Sequence, residues 1–280
     1  MTVDRSLRDA QHIRADLDSL GGSLARVARF QQRFELRTTL PETSTETWWR
    51  CSDLLANPET FLEWRRRLGT WLLAEHGAQD ARTTAGYVMS WYLRVPAYLG
   101  ALLLHHERRV PSLRPEELAV RIADEGRPEP VGLAALGGSF YCLPLDPGSA
   151  RPEATVVADE RALAAVLRAR YTAHAARFVR AYGKVSPLGS RMLWAAATDA
   201  LDTSLWWAGR DGGDEGAGVA DAALVLESRF APLTSASTLR IGETEAGRGW
   251  CRARESCCFS YLLPRQEECA ECPRLRSRTR

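Results

Sequence analysis

The chain has 280 residues, of which 45% are apolar and 26% charged, with a formal charge of +2. That composition specifies a soluble globular protein with an ample core, in one large domain or two smaller ones, and the near-neutral balance argues against a nucleic-acid surface. No run reaches the roughly 18 apolar residues of a membrane span, because Arg94 and Pro96 interrupt the longest candidate, Tyr87 to Leu104, and Met1-Thr2-Val3-Asp4-Arg5 has no apolar leader segment. A cytoplasmic location with reduced thiols is therefore expected.

The first hundred residues predict helices. Leu17, Leu20, Leu24, Val27, Phe30 and Phe34 recur at spacings of three and four, one face of a helix that Gly21-Gly22 is expected to bend or break. A second helix follows the Asn57-Pro58 start signal with Phe61, Leu68, Trp71 and Leu72 on one face. A third runs from about Asp80 to His106 with Tyr87, Val88, Trp91, Tyr92, Leu99 and Leu103 inward and Pro96 as a kink.

Between Arg109 and Asp159, seven prolines break the chain into short runs. Residues 118–122, 131–133, 139–143 and 155–157 predict a small antiparallel sheet. Helices then resume. Leu163, Val166, Leu167, Tyr171, His174, Phe178 and Tyr182 form one stripe, and Ser186-Pro187 reads as the N-cap and first residue of the next helix. The glycines of Gly209 to Gly218 read as a linker, followed by a last helix over about Val219 to Phe230 and then polar loop. The expected fold is α+β and predominantly helical: a body over 1–247 with a small sheet at roughly 109–159, closed by a cysteine-rich segment over 248–280.

The most specific pattern lies in that segment. Cys257-Cys258, ten residues, and then Cys269-Ala270-Glu271-Cys272-Pro273 give a C-C-x10-C-x2-C array. Four thiolates select zinc or an iron–sulfur cluster. Adjacent residues in extended backbone project to opposite sides, so Cys257 and Cys258 suit the separated ligand positions of a two-iron core better than one tetrahedral ion. Zinc, redox thiols and a vicinal disulfide stay open at this point.

Arg254-Glu255-Ser256-Cys257-Cys258-Phe259-Ser260-Tyr261, followed by Cys269-Ala270-Glu271-Cys272-Pro273, resembles the C-terminal signature of the FhuF-type ferric-siderophore reductases. Ser190-Arg191-Met192-Leu193-Trp194 is a weaker echo of the family's helical part, and Glu255-Ser256 departs from the more basic residues common before the pair. The resemblance implies that Cys257, Cys258, Cys269 and Cys272 ligate one [2Fe-2S] cluster. It also implies one-electron reduction of a ferric siderophore, which releases Fe(II) because hard oxygen donors hold Fe(III) far more tightly.

Residues 248–280 hold eight arginines against four glutamates, a local +4. Such charge offsets an anionic cluster and favours its reduction, with Arg252, Arg254, Arg265 and Arg274 as candidates. No G-x-G-x-x-G follows a strand and no P-loop occurs, so the electrons are expected from a separate ferredoxin or flavin reductase. The competing readings are an iron or redox sensor whose cluster is only structural, and a zinc-stapled binding module. Cys51, Cys142 and Cys251 read as structural thiols and His174 as a packed core histidine. His105-His106-Glu107 reads as a helix end, and each of Trp48-Trp49 and Trp206-Trp207 as one core ring beside one free to face a groove.

Overall fold

A computed structural model describes residues 16–41, 47–244 and 247–278. Helices α1 (Leu20–Val27), α2 (Cys51–Ala56), α3 (Glu59–His76) and α4 (Ala81–Glu107) form the first part of the body. Helices α5 (Glu160–Tyr182), α6 (Ser190–Asp211) and α7 (Glu215–Val225) complete it, and α8 (Pro273–Arg278) closes the described chain. The predominantly helical α+β expectation is met. Among the described residues no helix is long and apolar enough to cross a membrane; the segment Met1 to Arg5 lies outside them.

Helix α4 is the axis of the core, with every residue from Val95 to Leu104 buried, Pro96 included. Asp80 starts it by accepting from the amides of Arg82 and Thr83, and Asp159 caps α5 through Ala162. The inward stripe of α5 packs Phe178 and Tyr182 on α4's Tyr92 and α3's Phe61 in stacked and edge-on pairs.

Five expectations are corrected. The first helix runs through Gly21-Gly22 without a break but ends at Val27. A short 3-10 turn follows, and buried Gln31 brackets Phe34 by accepting from its N–H and donating to its carbonyl. The chain thus turns before Phe34 reaches the core.

The small sheet is two sheets, and neither is wholly antiparallel. Strands β1 (Glu35–Arg37), β2 (Trp48–Arg50), β4 (Leu118–Ile122) and β5 (Pro130–Ala135) order as β1-β5-β4-β2, with β1 parallel to β5. Strands β3 (Arg109–Pro111), β6 (Phe140–Cys142) and β7 (Ala154–Val156) form the other, with β6 parallel to β7. The proline-rich residues 143–153 act as a crossover, which a parallel pair requires and a hairpin does not.

Helix α6 starts at Ser190 with Gly189 as its N-cap, because Ser186 instead closes a local turn by accepting from the Leu188 amide. The glycine "linker" is mostly helix. A Cβ on Gly209 would stand 2.5 Å from the Gly218 nitrogen, so these glycines let α6 and α7 approach backbone to backbone. The segment read as polar loop contains a hairpin, β8 (Arg240–Thr244) with β9 (Gly247–Cys251), which delivers the chain to the cysteines.

Candidate metal centre

Two helices build the floor of a cleft of about 430 Å³. Tyr87, Ser90, Trp91 and Arg94 of α4 line it at helical spacing. Ala196, Asp199, Thr203 and Trp207 of α6 do the same from the other side. The cysteine segment covers this floor, contributing Arg252, Arg254, Cys258 and Cys269.

The segment is held down by polar residues of α6 that sit among apolar ones. Asp202 accepts from Ser237 Oγ at 2.6 Å and from the Thr238 amide at 2.9 Å, and Thr198 Oγ1 accepts from the Thr234 amide at 2.9 Å. Burial raises the pKa of Asp202 above its ordinary value against those hydrogen bonds. Asp199 grips the residues just before the cysteine pair. It accepts from the Glu255 amide at 2.9 Å, the Ser256 amide at 2.8 Å and Ser256 Oγ at 2.5 Å. From α4, Thr83 Oγ1 donates to the Phe259 carbonyl at 2.8 Å. A Cβ on Gly86 would stand 3.0 Å from the Cys258 carbonyl oxygen, so the glycine sets how closely the tail docks. Asp199, Asp202, Thr83 and Gly86 were not foreseen. The available signal was a pair of carboxylates three residues apart in an otherwise apolar helix, since a buried carboxylate needs donors from elsewhere.

The four cysteines of the array come together as two nested pairs. Cys258 interacts with Cys269 thiol to thiol, and Cys257 with Cys272. Phe259, at φ +60°, turns the backbone immediately after the pair, and its amide donates to Cys257 Sγ at 3.4 Å. Cys258 Sγ lies 3.3 Å from Ser260 Oγ. The Cys269 thiol, then Ser260 and the Arg254 guanidinium, pull the Cys258 pKa down, while burial pushes Cys257 up. Burial opposes the charge of Arg254, but Asp199 and the thiols raise its pKa on balance.

This donor set fits a two-iron cluster. The thiols are arranged two by two, as the two irons of a rhomb require. Hydrogen bonds to sulfur from Phe259 and Ser260 are the kind that tune such a centre.

The remaining sequence expectations resolve residue by residue. Cys51 and Cys142 are buried in the body, and Cys251 lies half-buried on β9 with its sulfur over Gly242. His105, His106 and Glu107 diverge: His105 bonds Asp221, His106 stacks on Phe30, and Glu107 accepts from Arg26 and Ser23. His174 is buried, its Nδ1–H donating to the Leu113 carbonyl and its Nε2 accepting from the Tyr92 hydroxyl. Trp206 is buried while Trp207 faces the cleft, as expected; Trp48 and Trp49 are both half-buried. Of the four arginines, Arg254 stands nearest the thiols, Arg252 pairs with Glu271, Arg274 with Glu268, and Arg265 is exposed.

No curated protein matches the chain. Residues 254–274 match the family model of the FhuF 2Fe-2S C-terminal domain. The segment that carries the four paired thiols is thus a FhuF-type 2Fe-2S C-terminal domain, and its cofactor is a [2Fe-2S] cluster.

Proposed function

We propose that the protein reduces ferric-siderophore complexes by one electron, releasing Fe(II), and that Cys257, Cys258, Cys269 and Cys272 ligate the cluster. The observation that carries this reading is the cleft itself: two of the four thiols, Cys258 and Cys269, line a cavity large enough for a small chelate. When bound, the cluster supplies single electrons at a low-to-moderate potential. The chain's own residues provide the rest. Asp199 and Thr83 fix the cysteine segment against α6 and α4. Arg254 places positive charge beside the Cys258 and Cys269 thiolates. Trp91, Trp207 and Tyr87 give the cleft aromatic walls for the organic part of a chelate.

On this reading residues 1–247 form the substrate-docking body and 248–280 the redox segment. The protein works in the cytoplasm, and its electrons come from a ferredoxin or a flavin reductase. Outer-sphere transfer to Fe(III) needs no general acid, base or nucleophile.

The test is anaerobic. Protein reduced with dithionite and freed of excess is mixed with ferric hydroxamate and ferric carboxylate chelates, with visible absorption and trapped Fe(II) followed together. Reoxidation with matching Fe(II) release is expected. No reaction with either class over minutes would leave the sensor reading in its place.

A further inference from the structure

The cleft wall opposite the cysteines carries cations whose charge is only partly offset within the protein. Arg94 projects from the middle of α4, and among the described residues it has no carboxylate within ion-pair distance. Its guanidinium lies over the Trp207 ring at 4.8 Å, a ring also covered by Arg33 at 4.0 Å. Its pKa is lowered to about 10, by burial first and then by Arg252, Arg33 and Arg254. A guanidinium crowded by guanidiniums in a half-buried wall is a vacancy for an anion.

Arg127 repeats the pattern on the same wall. It lies 4.9 Å from the Tyr87 ring centroid and 5.0 Å from that of Trp91. Its buried Nε has no hydrogen-bond partner, and its one carboxylate, Glu129, is 3.9 Å away. The lining as a whole holds four arginines against two carboxylates, Glu129 and Asp199, and of the four Arg252 is neutralised by Glu271 beside the cleft. Asp199 is already engaged by three donors of the tail, so it offers the cleft little.

From this arrangement we infer that the cleft selects ferric chelates of net negative charge with carboxylate groups, rather than neutral or cationic hydroxamates, and that Arg94 and Arg127 read that charge. The inference rests on the ferric-chelate reading above and names its substrate class. Planar guanidiniums held by aromatic rings suit carboxylates, which they can meet through paired N–H donors. They also answer an electrostatic difficulty. An anionic chelate must approach anionic thiolate sulfur, and cations on both walls remove the repulsion that would otherwise keep it out.

The test reads binding without electron transfer. Gallium(III) citrate, which is not reduced, is titrated into the oxidised holoprotein against an equal concentration of citrate alone, and tryptophan fluorescence reports occupancy beside Trp91 and Trp207. A gallium(III) linear trihydroxamate is titrated in parallel. The anionic chelate is expected to bind at least about tenfold more tightly, and to weaken with added salt while the trihydroxamate does not. Arg94→Gln and Arg127→Gln should each weaken it, Arg94→Lys less so. Arg161→Gln, at a remote surface pair with Glu227, should leave it unchanged.

The salt titration uses the unaltered protein and decides the matter even if a variant misfolds. Tighter binding of the trihydroxamate, or salt-independent binding of the citrate chelate, overturns the inference. If that same trihydroxamate, as its ferric complex, reoxidises the reduced protein, the reductase reading survives the failure. If neither chelate binds and neither ferric form reoxidises the protein, both fall.

Discussion

Asp199→Asn should release the cluster without unfolding the body. The carboxylate holds three donors of the cysteine segment, one on Oδ1 and two on Oδ2. An asparagine of the same shape keeps one acceptor oxygen and must turn its NH2 toward at least one backbone N–H. One charge-assisted hydrogen bond is lost, one buried donor is orphaned, and the remaining bonds become neutral. Ser256 is only 1% exposed, so water cannot substitute. The cost is about 2–4 kcal/mol, an increase of about 30- to 700-fold in the equilibrium for lifting the segment.

The assay is the decay of visible absorption when holoprotein is incubated with excess iron chelator under anaerobic conditions. If release proceeds through lifting of the segment, its rate rises with that equilibrium. Asp221→Asn is the control, because Asp221 bonds His105 and Arg108 within the body and touches no part of the tail. It should lower global stability while leaving iron release near the wild-type rate. An Asp199→Asn protein that loses iron within about threefold of the wild-type rate, less than 1 kcal/mol of difference, would show that Asp199 does not anchor the segment.

Serine at any one of Cys257, Cys258, Cys269 or Cys272 should lower iron and sulfide per chain, whereas Cys51→Ser and Cys142→Ser should leave both unchanged; iron and sulfide analysis after anaerobic purification decides it. Folding stability should fall with acid because His174 is buried neutral, with its pKa lowered from the usual 6.5 to about 4. Unfolded chain binds the proton first, so stability is flat above pH 7 and declines from about pH 6.5, by roughly 1 kcal/mol at pH 5.5. Urea midpoints for the wild type and His174→Gln measure this: the variant should show the smaller decline. Gly209→Ala should force α6 and α7 apart at about 1–3 kcal/mol and lower Tm by about 2–4 °C for each kcal/mol; an unchanged Tm would restore the linker reading of those glycines.

The helices with long, regular apolar stripes were legible in the chain, as α3, α4 and α5 show. So was the cysteine array, whose spacing carries its chemistry locally. What escaped depends on partners distant in sequence. Strands of three residues such as Glu35–Arg37 and Trp48–Arg50 are too short to display a period, and their pairing with β5 and β4 is set by the body. Gly209 and Gly218 look alike whether they free a loop or admit a neighbouring helix. Asp199 stands out in sequence only as a carboxylate in an apolar helix, and what it holds is not local, because its three donors lie 56 and 57 positions away. Arg94 read as an interruption of an apolar run, and only the fold shows that it interrupts the run where the cleft lies.

The adjacency of Cys257 and Cys258 also sets which thiols face the cleft. Their opposite projection sends Cys257 inward to Cys272, both nearly inaccessible at 5% and 3% exposure, and Cys258 outward to Cys269 on the cleft wall. The turn at Phe259 locks those directions, since its backbone lies at φ +60° and its carbonyl is bound by Thr83. One thiol pair is thereby sealed against the body while the other meets whatever enters the cleft. Two spaced cysteines on a flexible loop could satisfy the same metal chemistry, but could equally well present either pair to solvent. The vicinal pair, fixed by Asp199 before it and Thr83 after it, makes the thiol array one-sided, and Arg94 of α4 and Arg127 stand on the side that is open.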